Sequence, residues 1–235
     1  MEDELGDPEL AGRFAYELVS KRLGRGSADV DACASVASQI NDRYAATFDH
    51  LKWQDVPIAC KAGCNWCCYL RVEILPYEAI ALFRYLRTSI PEELAQSISA
   101  RILANAEQIA ALTPEQHRLT NVQCAFLVDG CCSVYPVRPM LCAGHHSCDV
   151  SACEAGFNEP SVEVDSIPLV AVLAAIRGMM MIAAGDALRE KKLKAQSLEL
   201  HTTLAALLRN PALIGQWGSG RKLIKGGPEL ESPID

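Results

Sequence analysis

Residues 60–68 read CKAGCNWCC, which puts four thiols, those of Cys60, Cys64, Cys67 and Cys68, into nine positions. A second block, CAFLVDGCCSVYPVRPMLCAGHHSCDVSACE, fills residues 124–154. Ten of the eleven cysteines fall within residues 60–153, and only Cys33 stands apart. Clustered thiols have four uses: disulfides, a metal, redox catalysis and plain burial. A disulfide scaffold belongs to export and to shorter chains. The first residues, MEDELGDPEL, are acidic and lack the basic start and apolar stretch of a secretory signal. The expectation is a cytoplasmic chain with reduced thiols. Four buried cysteines in nine residues, followed by a second cluster, are more than core packing asks for. Soft thiolates in this density point to zinc, cuprous ion or an iron–sulfur centre rather than magnesium or calcium.

A straight helix over residues 60–68 would carry all four sulfurs on one face, at i, i+4, i+7 and i+8. It would also hold Cys60 and Cys68 roughly 12 Å apart along its axis. Zinc–sulfur bonds of about 2.3 Å cannot collect both. Either Gly63 unwinds the first turn or only three of the four thiols share a centre, and a second block must complete the shell. Vicinal pairs such as Cys67-Cys68 and Cys131-Cys132 make strained disulfides. No C-x-x-C follows a thioredoxin-like strand, so thiol redox chemistry ranks last. No P-loop, Ser-His-Asp set or paired-carboxylate motif is present, and Gly24-Arg25-Gly26 reads as a loop rather than a nucleotide-binding turn.

Together the two blocks resemble the YkgJ-type cysteine-cluster family, a zinc- or iron-chelating domain. That pattern is a cysteine-rich run ending in Cys-Cys, then C-x-F-L, C-S-I-Y, R-P and C. Here it appears as Cys60, Cys64, Cys67 and Cys68, then Cys124-Ala125-Phe126-Leu127, Cys132-Ser133-Val134-Tyr135, Arg138-Pro139 and Cys142. Cys153-Glu154, Leu200-His201 and Trp217-Gly218 are similar to extensions in part of the family. The resemblance implies metal ligands at Cys60, Cys64, Cys67, Cys68, Cys124, Cys132, Cys142 and Cys153, with Arg138 beside the bound group. Eight thiols exceed the four that one zinc or one 4Fe–4S cluster needs. Two mononuclear sites, one polynuclear site, or one site plus a reactive pair all fit. Cys131 and the His145-His146 pair depart from the pattern. The expected cofactor is zinc or iron, the latter in a 4Fe–4S cluster as one form. The alternative is an iron–sulfur enzyme akin to flagellin lysine N-methylase, which belongs to a related cysteine-cluster group, although this chain is short for that enzyme.

In the second block, Asp129-Gly130 between β-prone runs is a hairpin signature. A two-residue turn pairs Val128 with Cys131, whereas a three-residue turn pairs Val128 with Cys132. The resemblance, by favouring Cys132 as ligand, implies the three-residue turn and leaves Cys131 at its tip. Arg138 stands where it can meet backbone carbonyls or offset thiolate charge. His145 and His146 are ligands by type, although a Gly-led loop more often presents them to solvent. His201 reads as a packing or capping residue.

The surrounding elements are helical. A Ser27 or Asp29 cap starts a stripe of Val30, Cys33, Ala37, Ile40, Tyr44, Phe48 and Leu51, with Cys33 as a buried small hydrophobe. Residues 76–87 read as a short helix, and Ser89 caps another from Pro91 to Leu112. Residues 194–209 form an amphipathic helix stopped by Asn210-Pro211. Residues 167–185 carry one charge, Arg177, and read as a buried core helix with Pro168 near its start. A central Arg costs roughly 2.5–3.5 kcal/mol on insertion scales, which argues against a membrane span. Half the residues are apolar and only 6% aromatic, so the core rests on Ala, Leu, Ile and Val. A net charge of −7 gives no attraction to nucleic acid or anionic membrane. The expected architecture is mainly α: one helical domain over residues 1–217, with a cysteine-cluster core at 60–154 holding one small hairpin, and a flexible tail over 218–235. Beyond the metal ion no partner is implied.

Overall fold

Asp7 and Asp29 start the first two helices by accepting backbone N–H groups that a helix leaves unpaired at its first turn. Asp7 caps α1 (Pro8–Arg22) through Glu9 and Leu10, and Asp29, not Ser27, caps α2 (Val30–Leu51) through Ala32 at 2.8 Å. The apolar stripe of α2 is buried through Cys33, Val36, Ala37, Ile40, Tyr44 and Leu51. The computed structural model describes residues 5–52, 56–160 and 167–226.

After the first cysteine block come β1 (Glu73–Ile74), α3 (Pro76–Thr88), α4 (Glu92–Ala110) and α5 (Pro114–Arg118). The second block supplies β2 (Leu127–Val128), β3 (Cys131–Cys132), α6 (Met140–Ala143) and α7 (Val150–Asn158). The chain continues with α8 (Ala171–Glu190), β4 (Leu198–Glu199), α9 (Leu200–Arg209) and α10 (Leu213–Gly218). Ten α-helices and two antiparallel two-stranded sheets, β1–β4 and β2–β3, make the described residues mainly α with a small hairpin, as expected.

Four boundaries differ from the sequence reading. Ser89 ends α3, its N–H donating to Tyr85, and Pro91 takes the cap position before α4. Residues 167–170 are extended rather than helical: Cys148 N–H donates to Pro168 O, Val170 N–H donates to His146 O, and Ser147 bridges Leu169. Pairing with the 146–148 loop therefore delays α8 to Ala171. Leu198-Glu199 leave the expected helix to pair with Ile74-Glu73, and α9 starts only after them. The segment after α10 is anchored: Leu223 is fully buried, its N–H donates to Gln196 Oε1 at 2.7 Å, and Gln196 Nε2 holds the carbonyls of Ile224 and Gly226. Fraying from Gly218 is thus corrected as far as Gly226, and residues 227–235 lie outside the described set.

The core is one continuous cluster through α1, α2, α3, α8 and α9. Helix α8 is long and apolar enough to cross a bilayer by length and composition alone. Its Leu173, Ile176, Met180, Ala184 and Leu188 are buried, and it runs along α1 so closely that a Cβ on Gly12 would stand 3.3 Å from Met179 O.

Candidate metal centre

The first block forms no straight helix. Gly63 takes φ +84°, a conformation that costs glycine nothing, in a turn where Cys64 N–H donates to Lys61 O. A single 3₁₀ turn, Trp66–Tyr69, then presents Cys67 and Cys68. The two blocks touch directly: Cys124 N–H donates to Cys68 O at 2.7 Å, and Val122 N–H donates to Tyr69 O at 3.3 Å. The third contributor is α7, which carries Cys153 and is pinned to the 3₁₀ turn by Phe157 against Trp66 and Tyr69, with ring centroids 5.1 and 4.8 Å apart.

In the hairpin, Asp129 (φ 48°) and Gly130 (φ 75°) make a two-residue turn, with Val128 opposite Cys131 and Leu127 opposite Cys132. The three-residue register is therefore wrong. Strict alternation would set Cys131 on the face of Cys124, yet Cys131 is exposed and Cys132 is the thiol near enough to Cys124 to repel its charge. The reason is a turn that the strand pattern hides: Leu127 N–H donates to Cys124 O at 3.0 Å, so the strand stops short of Cys124 and its side chain is re-aimed.

A cavity of about 1290 Å³ is lined by Cys60, Cys64, Cys67, Cys68, Cys124, Cys131, Cys132 and Cys142, and by Arg138. Cys153 instead lines a neighbouring cavity of about 10 Å³, with Cys67 and His145. Cys33 is buried on α2, and Cys148 lines neither space. Among the described residues no three His, Cys, Asp or Glu side chains stand close enough to clasp one ion. The donor chemistry suits zinc or iron; an ion there would have to draw the sulfurs inward.

Electrostatics divide the thiols into two groups. Cys142, Cys124, Cys132 and Cys67 form one: burial raises Cys142 well above the ordinary thiol range and Cys124 to about 12, and in both mutual repulsion within the group adds to it. Cys60, Cys64 and Cys153 form the other, raised at Cys60 and Cys153 by burial and again by one another. Cys67 faces both groups, and its thiol is pushed up first by its hydrogen bond with Cys68 and then by burial. Arg138 opposes these shifts at Cys67, Cys132 and Cys142. Its guanidinium lies 4.0 Å above the Tyr135 ring, and its carbonyl accepts from Asn41 Nδ2.

The histidines separate by role. His146 stacks on Phe48 at 4.4 Å, sits 3.2 Å from Tyr44 OH through Nδ1, and is lowered to about 4 by burial and then by Arg138. His145 is lowered by burial and by Arg177. His201 is buried, as a packing residue should be, and is also bonded at both ring nitrogens: Ala125 N–H donates to Nε2 at 3.1 Å, and Nδ1 lies 3.3 Å from Glu199 Oε1. Since Nε2 accepts, the proton sits on Nδ1 and points to Glu199. His201 thereby fixes the peptide that follows Cys124.

Two supporting residues went unnoticed in the sequence. Glu78, buried in α3, accepts Leu75 N–H at 2.7 Å and Met140 N–H at 2.8 Å, which ties the start of α3 to the start of the helix carrying Cys142. Its visible signal was Glu three residues after the helix-starting Leu75-Pro76, the N3 position of a capping pattern. Gly144 allows the aliphatic stem of Arg177 to lie across it, because a Cβ there would come within 2.6 Å of Arg177 Cδ.

Comparison with known proteins finds no matching family model, curated protein or solved structure. The likeness to the YkgJ-type pattern rests on its spaced residues alone.

Proposed function

We propose that the protein binds zinc or iron through clustered thiolates, with Cys67, Cys124, Cys132 and Cys142 as the principal set. The observation that carries this reading is the meeting of two cysteine blocks, distant in the chain, around one cavity, with Cys124 N–H on Cys68 O at 2.7 Å. The sequence resemblance to a chelating family supports it. The buried thiols are held protonated, so metal entry exchanges thiol protons for the ion. Four thiolates on a divalent ion leave two negative charges, and Arg138 faces three of these four sulfurs. A bound iron–sulfur cluster would add electron transfer to what a zinc ion offers. Reduced thiols fit a reducing compartment, hence the cytoplasm.

A cavity of about 1290 Å³ is larger than one ion needs, which favours as second reading a metal enzyme with a bound substrate. Lys61, Arg71, Arg118, Arg138 and Arg177 line it against one carboxylate, Glu73. That lining suits an anionic group better than the lysine side chain a lysine N-methylase would take.

Anaerobic purification followed by elemental analysis, sulfide assay and an absorption spectrum tests the proposal. A brown protein with acid-labile sulfide selects an iron–sulfur centre, and a colourless one with stoichiometric zinc selects the structural or carrier role. Protein free of both metals, and unable to take them up after anaerobic reduction, refutes it.

A further inference from the structure

The proposed four-thiol set leaves Cys60, Cys64, Cys68 and Cys153 without a task, and one buried ring nitrogen belongs to a residue, His145, that lines a cavity with each of them. His145 Nε2 is buried and has no hydrogen-bond partner among the described residues. A buried polar atom left unpaired costs free energy, so its persistence calls for a reason. His145 also lines both cavities, standing with Cys153 and Cys67 in the smaller and with Cys60 and Cys64 in the larger. The smaller, at about 10 Å³, is the size of a single atom, and the rest of its wall is apolar: Trp66, Leu70, Phe157 and Ile167.

The backbone already ties Cys60 to the His145 loop, and the other side chains would have to draw inward to share an ion with them. Cys60 Sγ–H donates to His145 O at 3.9 Å, and Ser147 N–H donates to Cys60 Sγ at 3.3 Å. Ala59 N–H donates to Ser147 O at 2.9 Å, clamping the start of the first block to the histidine loop. Cys64 rides on the Gly63 turn, and no atom lies within 4 Å of where a Gly63 Cβ would stand, so the turn has open space in which to close.

We propose that His145 Nε2 completes a second metal centre with the thiolates of Cys60, Cys64 and Cys153, a Cys₃His set suited to a divalent, borderline-soft cation such as zinc. This rests on the thiolate-binding reading above and adds a centre to it. Three thiols and one neutral imidazole are a common closed, four-coordinate zinc shell. Binding releases three thiol protons to solvent and leaves the centre with one negative charge, and Arg177 is the nearby cation that also bears on His145. Cys67 lines both cavities and so borders both centres.

The test is anaerobic titration of the metal-free, reduced full chain with Co²⁺, reading equivalents bound and the visible spectrum, then displacement by Zn²⁺. The wild type is expected to take two equivalents, one with a three-sulfur, one-nitrogen spectrum. His145→Ala should weaken that equivalent by at least ~100-fold and leave the other intact. His145→Cys should keep two equivalents but move the spectrum to that of four sulfurs, which also answers whether loss in the alanine variant is mere unfolding. Cys124→Ser should spare the mixed spectrum. If His145→Ala and His145→Cys both titrate and absorb as the wild type does, the second centre is wrong while the first stands. If the wild type takes no Co²⁺, both fall together.

Discussion

Replacing Glu78 should damage the site without touching a sulfur. Its two carboxylate oxygens each accept one buried backbone N–H, from Leu75 at 2.7 Å and from Met140 at 2.8 Å. Burial raises the carboxyl above its ordinary range, and those two N–H groups partly offset the rise. Ionised Glu78 is therefore costly in itself and justified by what it pairs. Glu78→Ala leaves two buried donors unpaired, at about 1–3 kcal/mol each, and opens a small void. The expected loss is about 4 kcal/mol. Glu78→Gln keeps one acceptor and removes the desolvation of a charge, so about half that loss is expected. Urea unfolding of the metal-free reduced protein measures both, and metal uptake read beside it should weaken in Glu78→Ala because Met140 starts the turn that carries Cys142. An alanine variant within 1 kcal/mol of wild type, or a glutamine variant worse than alanine, would refute this account of the carboxylate.

Two further outcomes are expected. Cys132→Ser should lower metal content and the stability gained on loading, whereas Cys131→Ser, at an exposed position, should change stability by only about half a kcal/mol and leave metal content intact; the reverse result would mean that the hairpin's face alternation, not the turn at Cys124, governs the site. The second concerns acid. Burial would raise the Glu199 carboxyl, but the hydrogen bond from His201 Nδ1, with the N–H groups of Thr202 and His201, brings it down to about 2. A depressed carboxyl stabilises the fold above its unfolded value of about 4.3 and loses that contribution as pH falls through the folded value. About 3 kcal/mol should therefore disappear between roughly pH 4.5 and pH 2 and be missing from Glu199→Gln throughout; unfolding curves of the two proteins that run parallel over that range would contradict it.

What could be read in the sequence was what repeats or what is chemically distinctive. The helical stripe of α2 and its Asp29 cap are local, and so they are found where periodicity puts them. Cysteine density likewise announced that residues 60–68 and 124–142 must meet. The errors fall where one long-range hydrogen bond outweighs local pattern. Residues 167–170 have the same apolar run as the helix after them, and only the 146–148 loop beside them makes them extended. Leu198-Glu199 are amphipathic in a helical register, yet Glu73-Ile74 pair with them. Asp129-Gly130 alone marks the two-residue turn that is found, whereas the ligand pattern at Cys132 points to the other register. Glu78 and His201 support the site through backbone N–H groups of Met140 and Ala125, contacts that leave no periodic trace.

The bond from Cys124 N–H to Cys68 O closes the chain on itself around everything between those two residues, which includes β1, α3, α4 and α5. A cross-link at that junction acts on the unfolded chain as much as on the folded one. Sulfurs from the two sides joined through one ion form a reversible staple over a loop of roughly 57 residues, worth about 4 kcal/mol by the chain-entropy estimate for a covalent bridge. Three helices would then share the fate of the staple, so oxidation of the thiols should loosen the α3–α5 excursion first, and hydrogen exchange along α4 should report the state of the sulfurs from a distance.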